Sequence, residues 1–215
     1  MRALFLLPCL IFPLQAQAPY RIQLDGKPTE AAWASAKTFE FTQQSPNPGG
    51  PTLYKTTARV LLTESTIYIA FECIDPDPDR ISVHTMTRDA GQEGDDAAAV
   101  VLDTFGDHRT GYMFQVNAAG ARLDGLISGP EYPSLDWDGI WDARIHRTPQ
   151  GWSAEFEIPT RTLSFTKGQT SWGINLERHV ARDRTVLRAF SPTLDSYLPD
   201  LSRAVTFASL PPAPD

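Results

Sequence analysis

"ARVLLTESTIYIAFEC", residues 58–73, is two alternating runs about a polar turn. Ala58, Val60 and Leu62 alternate with Thr57, Arg59 and Leu61; Ile67, Ile69, Phe71 and Cys73 alternate with Tyr68, Ala70 and Glu72. Successive side chains of a strand point to opposite faces, so a period of two marks a pair of strands packed on one face. "TEST", residues 63–66, reads as their hairpin turn. Cys73 shares parity with Ile69 and Phe71 and is read as a small core residue.

The same period recurs outward from this hairpin. Tyr112, Phe114 and Val116 alternate with Met113, Gln115 and Asn117. Trp152, Ala154, Phe156 and Ile158 alternate with Ser153, Glu155 and Glu157, and Trp172, Ile174 and Leu176 repeat the pattern. Only "PTEAAWASA", residues 28–36, looks helical, for one or two turns. Many short strands separated by Gly, Pro and Asp turns predict an all-β fold, an antiparallel β-sandwich with one short N-terminal helix.

Composition narrows the function. "MRALFLLPCLIFPLQAQA" has one positive charge at Arg2, an apolar run from Ala3 to Leu14 and an A-x-A-like end, so residues 1–16 are expected to be a cleaved signal peptide. The run is shorter than the twenty or so residues that a membrane-spanning helix needs. About 200 residues then remain, enough for one domain over 17–209 with a Pro-rich tail at 210–215. A secreted protein is expected, in the periplasm, on the outer-membrane surface or outside the cell. The net charge of −7 becomes −8 without Arg2, and no Lys/Arg run exists, which disfavours nucleic acid as a partner. Cys73 alone would remain, leaving no internal disulfide.

"DWDGIWD", residues 136–142, sets two tryptophans among three aspartates. Trp141 shares parity with Ala143 and Ile145 and is expected in the core or at its edge. Trp137 lies earlier, in the acidic loop, where it either stacks on a ligand or covers a sheet end.

The order of these motifs resembles the family 9 carbohydrate-binding modules, above all the family-9-like domains of secreted and outer-membrane bacterial proteins. The resemblance rests on "LDGKPTEAAW", "STIYIAFECID", "GDDAAAVVLDTFGDHRTGYMFQVNAAG", "WDARIHRTPQGWSAEFEIP" and "WGINLERHVARD", which span roughly residues 21–209. It implies a jelly-roll-like sandwich, structural calcium and a sugar gripped between two aromatic rings. By position, the sugar-binding acid of the family corresponds to Ala99, one stacking tryptophan to Glu93, an arginine and an asparagine to Gln115 and Asn117, and the second aromatic to Tyr197. The expected ligand residues are therefore Trp137, Tyr197, Asn117 and Gln115, with an oligo- or polysaccharide as partner.

Asp75 and Asp77 of "DPDPD", Asp95 and Asp96 of "GDD", Asp103, Asp107 and Asp124 supply hard oxygens that suit calcium where several converge. Asp beside Pro or Gly is equally ordinary turn chemistry. Glu155 and Glu157, about 7 Å apart on one strand face, match either glycoside hydrolysis or a solvated strand. No metal motif or nucleophile accompanies them, so no enzyme is expected. Arg178, Arg182 and Arg184 read as a surface network with Glu177 and Asp183. Two other classes compete: a haem-binding sandwich using Met86 or Met113 with His84 or His108, and a docking domain that seats on a membrane β-barrel or attached enzyme without a sugar ligand.

Overall fold

A computed structural model describes residues 22–129, 132–166, 169 and 171–207. The expected signal peptide, Gln17 and the Pro-rich tail lie outside the described residues. Among the described residues twelve strands run in order: β1 (Lys37–Glu40), β2 (Thr42–Ser45), β3 (Thr56–Leu62), β4 (Thr66–Ile74), β5 (Ala97–Asp103), β6 (Thr110–Asn117), β7 (Arg122–Ser128), β8 (Asp142–Thr148), β9 (Gly151–Pro159), β10 (Trp172–Val180), β11 (Thr185–Arg188) and β12 (Val205–Phe207). The helix expected near the start is a 3₁₀ segment, Ala31–Ser35, which buries Ala32 and Trp33.

The opening hairpin forms as its pattern predicts: β3 and β4 pair from Thr56↔Cys73 to Leu62↔Ile67 around residues 63–65. They lie inside a sheet ordered β1-β3-β4-β9-β8. The second sheet runs β2-β11-β10-β5-β6-β7, with β12 also on β10. The protein is an antiparallel β-sandwich.

Between the sheets, Ile69, Phe71, Ala154 and Phe156 of the first meet Val100, Phe114, Ile174 and Leu176 of the second, all 0% exposed. Trp141 is part of this core, as its parity requires: its ring stacks on Phe156 at 5.7 Å and meets Phe114 edge-on at 5.2 Å. Cys73 is buried there too, and burial lifts its thiol to about 11.

Two expectations are corrected. Glu155 is not on a solvated face: it is 0% exposed, and its carboxylate accepts from the backbone of Asp25 and Gly26 and from Trp33 Nε1. It fastens the N-terminal segment over the first sheet and is walled off from any substrate. Nor do the arginines form a surface network. Arg178 has the inward parity of Leu176 and Val180 and is fully buried, donating to Thr56 Oγ1 and the Ile74 carbonyl, with Asp75 Oδ2 at 3.8 Å. Arg182 donates to Asp75 Oδ1 at 2.6 Å, so two cations hold the chain just after β4. Arg184 alone stays exposed.

Two substitutions test this core. Trp141→Ala is expected to cost about 3–5 kcal/mol through lost burial and the cavity left behind. Arg178→Ala is expected to cost a similar 3–5 kcal/mol or so, because Asp75 loses a buried counter-charge. Chemical denaturation measures both, and a loss under about 1 kcal/mol for either would contradict the packing described.

Candidate functional site

Opposite the core, the second sheet presents another face. Its register aligns Arg188 (β11), Glu177 (β10), Ala99 (β5) and Gln115 (β6) in one row, and Val186, His179, Ala97 and Asn117 in the next. Strands are spaced just under 5 Å apart, so the first row runs about 14 Å from Arg188 to Gln115. Ala99 in this row and Ala97 in the next lie near the middle of the face, and both are buried. These small side chains leave room for other segments to pack over the middle of the sheet, with polar side chains on either side.

Two segments close over the ends of this face. Residues 81–95 cross beside Asn117, which holds them: Asn117 Nδ2 donates to the Thr85 carbonyl and to Asp95 Oδ2, while its Oδ1 accepts from the backbone of Ala119 and Ala121. Gln92, from the same segment, receives a hydrogen bond from Gln115 Nε2 at 3.1 Å. At the other end, Leu198 and Leu201 pack on Ala99, Val101, Met113, Leu123 and Ile127 as a second, smaller apolar cluster.

Tyr197 lies in that latter segment, between two buried residues. Ser196 is 2% exposed and Leu198 4%, whereas Tyr197 is 75% exposed. An aromatic side chain this open, on backbone fixed from both sides, is a platform whose placement costs little entropy when a ligand stacks on it.

The row also carries charge. Arg188, buried, donates Nε to Glu177 Oε2 at 2.8 Å and pairs with that oxygen through Nη2 as well. His179 Nε2 lies 2.5 Å from the other oxygen, Glu177 Oε1, with the imidazole 42% exposed. Burial alone would raise the Glu177 carboxyl, but His179 and Arg188 together bring it below its ordinary value. Burial alone would lower His179, yet the Glu177 carboxylate and its hydrogen bond hold the imidazole above its ordinary value. Asp96 adds to the upward shift and Arg188 opposes it.

The structure separates the four residues expected to share a ligand. Tyr197 and Gln115 belong to the outer face. Trp137 does not: its ring packs 4.8 Å from Tyr112 and 5.9 Å from Phe114, both inward-facing residues of β6, so it closes the open side of the main core. Trp137 and Tyr197 thus lie on opposite sides of the second sheet. Gly139 makes this possible, because a Cβ there would meet the Trp137 ring at 2.7 Å. Asn117 has the expected outward parity, but it is 0% exposed and all four of its amide hydrogen-bonding positions are taken. It anchors a loop and has nothing left for a ligand.

The aspartates expected to hold calcium have separate partners among the described residues. Asp75 binds Arg182; Asp95 accepts from His84 and Asn117; Asp96 accepts from Ala181 N; Asp107 caps its own turn at Arg109 and Thr110. Asp77 lies within 3.7 Å of Arg80. Among the described residues no three His, Cys, Asp or Glu side chains converge as a metal would need. The haem ligands fare no better: Met86 is 81% exposed, Met113 is buried beneath the Leu198 cluster, and His84 and His108 stand near opposite ends of β5, against Asp95 and Asp103. Glu177, His179 and Arg188 were missed as site residues, although alternation in "LERHV" places Glu177 and His179 together on the outward face.

No protein-family profile and no curated protein matches the chain. Solved structures do. A family 9 carbohydrate-binding module from Caldicellulosiruptor kristjanssonii, in complex with cellotriose, is 15% identical, with a TM-score of 0.63 over 91% of this chain and 92% of that one. The module from that organism in complex with glucose gives 14% identity and a TM-score of 0.62 over 91% and 94%. A protein from Bacteroides uniformis is 14% identical, with a TM-score of 0.62 over 80% and 87%. The chain has the fold of these modules.

The His179–Glu177 contact sets a pH dependence of stability. His179 is raised in the fold, so its contribution is complete below the unfolded value of about 6.5 and is lost as pH rises through the folded one. Glu177 is lowered, so its contribution is complete above an unfolded value near 4.3 and is lost as pH falls through the folded one. Melting temperatures measured across this range are expected to decline on the alkaline side in the native protein and to lose that decline in His179→Gln. An identical profile in both proteins would contradict the pairing. Melting in EDTA tests the calcium expectation: a clear drop on chelation would show that a metal binds the fold, and an unchanged curve would count against it.

Proposed function

We propose that this chain is a non-catalytic carbohydrate-binding module whose ligand lies on the outer face of the second sheet. A pyranose ring stacks on Tyr197, and its hydroxyls bond to Gln115, His179 and Glu177. One observation carries this reading: Tyr197 is 75% exposed between buried neighbours, on the segment that packs over the sheet face carrying Glu177, His179 and Gln115. Sugar sites combine an apolar ring with a few oriented donors and acceptors, and the face offers both. The likeness in fold to modules in complex with cellotriose and glucose supports the ligand class.

The row suits a neutral sugar. Glu177 already has Arg188 and His179 as partners, so its charge is balanced before a ligand arrives. Gln115 spends its amide nitrogen on Gln92 and keeps its oxygen to accept from a hydroxyl. The signal peptide read over residues 1–16 would place such a module outside the cytoplasm. There it would hold an attached enzyme or an outer-membrane assembly against a polysaccharide.

Titration calorimetry with glucose and cellotriose tests the proposal. Tyr197→Ala is expected to weaken binding about tenfold or more, some 1.4 kcal/mol, while leaving the melting temperature within a degree or two. Trp137→Ala is expected to do the reverse, lowering stability through lost contact with Tyr112 and Phe114. Absence of binding to a panel of neutral glycans, or native affinity in Tyr197→Ala, would overturn it.

A further inference from the structure

We propose that Arg188 is the positioning group for Tyr197: its guanidinium, fixed by Glu177, latches the loop that carries the ring. The inference rests on the carbohydrate-binding reading for its functional consequence, but its structural core stands apart from that reading. Arg188 is 2% exposed and lies on the last residue of β11, just where the chain leaves the sheet. Two of its nitrogens engage Glu177 Oε2. The third, Nη1, reaches across to residue 196 and donates to both the carbonyl and the hydroxyl of Ser196, at 3.2 and 3.1 Å. One planar group therefore ties strand β10 to the loop, one residue before the platform.

Among the described residues no other side chain of the ionic row makes this link. Gln44 helps from β2, donating to the Thr193 carbonyl at 2.7 Å and more weakly to that of Ser196 at 3.5 Å. Beyond Tyr197 the hold is apolar, through Leu198 and Leu201. The ring thus stands between a polar anchor and an apolar one, and the polar anchor is the one that runs directly to Glu177. Lysine cannot substitute, because one ammonium lacks the fork that spans Glu177 and Ser196 together.

The test reads the ring itself. Fluorotyrosine is incorporated throughout, and the ¹⁹F resonance of residue 197 is assigned by its loss in Tyr197→Phe. Arg188→Lys and the isosteric Glu177→Gln are then compared with the native protein. Each is expected to shift or broaden the residue-197 resonance while the other tyrosine signals keep their positions. Each is also expected to weaken cellotriose binding about tenfold, the loss that follows one charge-assisted hydrogen bond. In a Tyr197→Leu background Arg188→Lys is expected to cost little more, since residues acting through one element are not additive. An unmoved residue-197 resonance in both variants overturns the latch. A moved resonance with no sugar binding in the native protein upholds the latch and rejects the carbohydrate reading. Should Arg188→Lys fail to fold, Glu177→Gln decides, because it keeps the shape of the pair and removes only its charge.

Discussion

Strand β5 is buried on both faces, and the rest of the outer architecture depends on that. Ala98, Val100 and Leu102 face the main core, and Ala97, Ala99 and Val101 face the other way, every one 2% exposed or less. A sheet with one solvated face would alternate apolar and polar residues; "AAAVVL" does not. Its small outward residues let Leu198 and Leu201 descend onto the sheet. That second cluster fixes residues 196–204, and with them Tyr197. The candidate site is therefore a product of packing on the far side of a core strand.

Charge is handled by the same logic of paired burial. Two arginines of the second sheet are fully buried, Arg178 inward and Arg188 outward, each facing a carboxylate. A buried pair of this kind adds little net stability over an apolar one but punishes any arrangement that breaks it. Arg178 with Asp75 ties the end of β4 to β10. Arg188 with Glu177 ties β10 to the loop above the outer face. The two pairs sit on opposite sides of one sheet and together set where its loops leave.

Much of this was legible in the sequence, for a physical reason. Period-two alternation reports directly which side chain faces a core, so the β3–β4 hairpin, the sandwich and the burial of Trp141 and Cys73 all followed from parity. Parity also placed Gln115 on the outer face. It failed where loops decide. Asn117 has outward parity, yet residues 81–95 fold over it, and no local pattern announces a segment crossing from elsewhere. Trp137 has no strand parity at all, and its place beneath Tyr112 depends on Gly139 admitting the ring. The aspartates read alike as metal ligands or turn residues because turn chemistry and calcium chemistry use the same side chain, and sequence alone does not reveal the separate protein partners each one has. Arg178 shows the opposite failure: its parity matched Leu176 and Val180, and the habit of placing arginine at a surface overrode it.

The account turns on one claim, that ligand contact occurs on the outer face of the second sheet, at the row from Glu177 to Gln115. Backbone amide shifts in ¹H–¹⁵N spectra during a cellotriose titration measure this residue by residue. The account predicts the largest changes at Gln115, Glu177, His179 and Tyr197, with the amides around Trp137 unmoved. Changes confined to residues 132–142, or shared evenly over the whole chain, would contradict it.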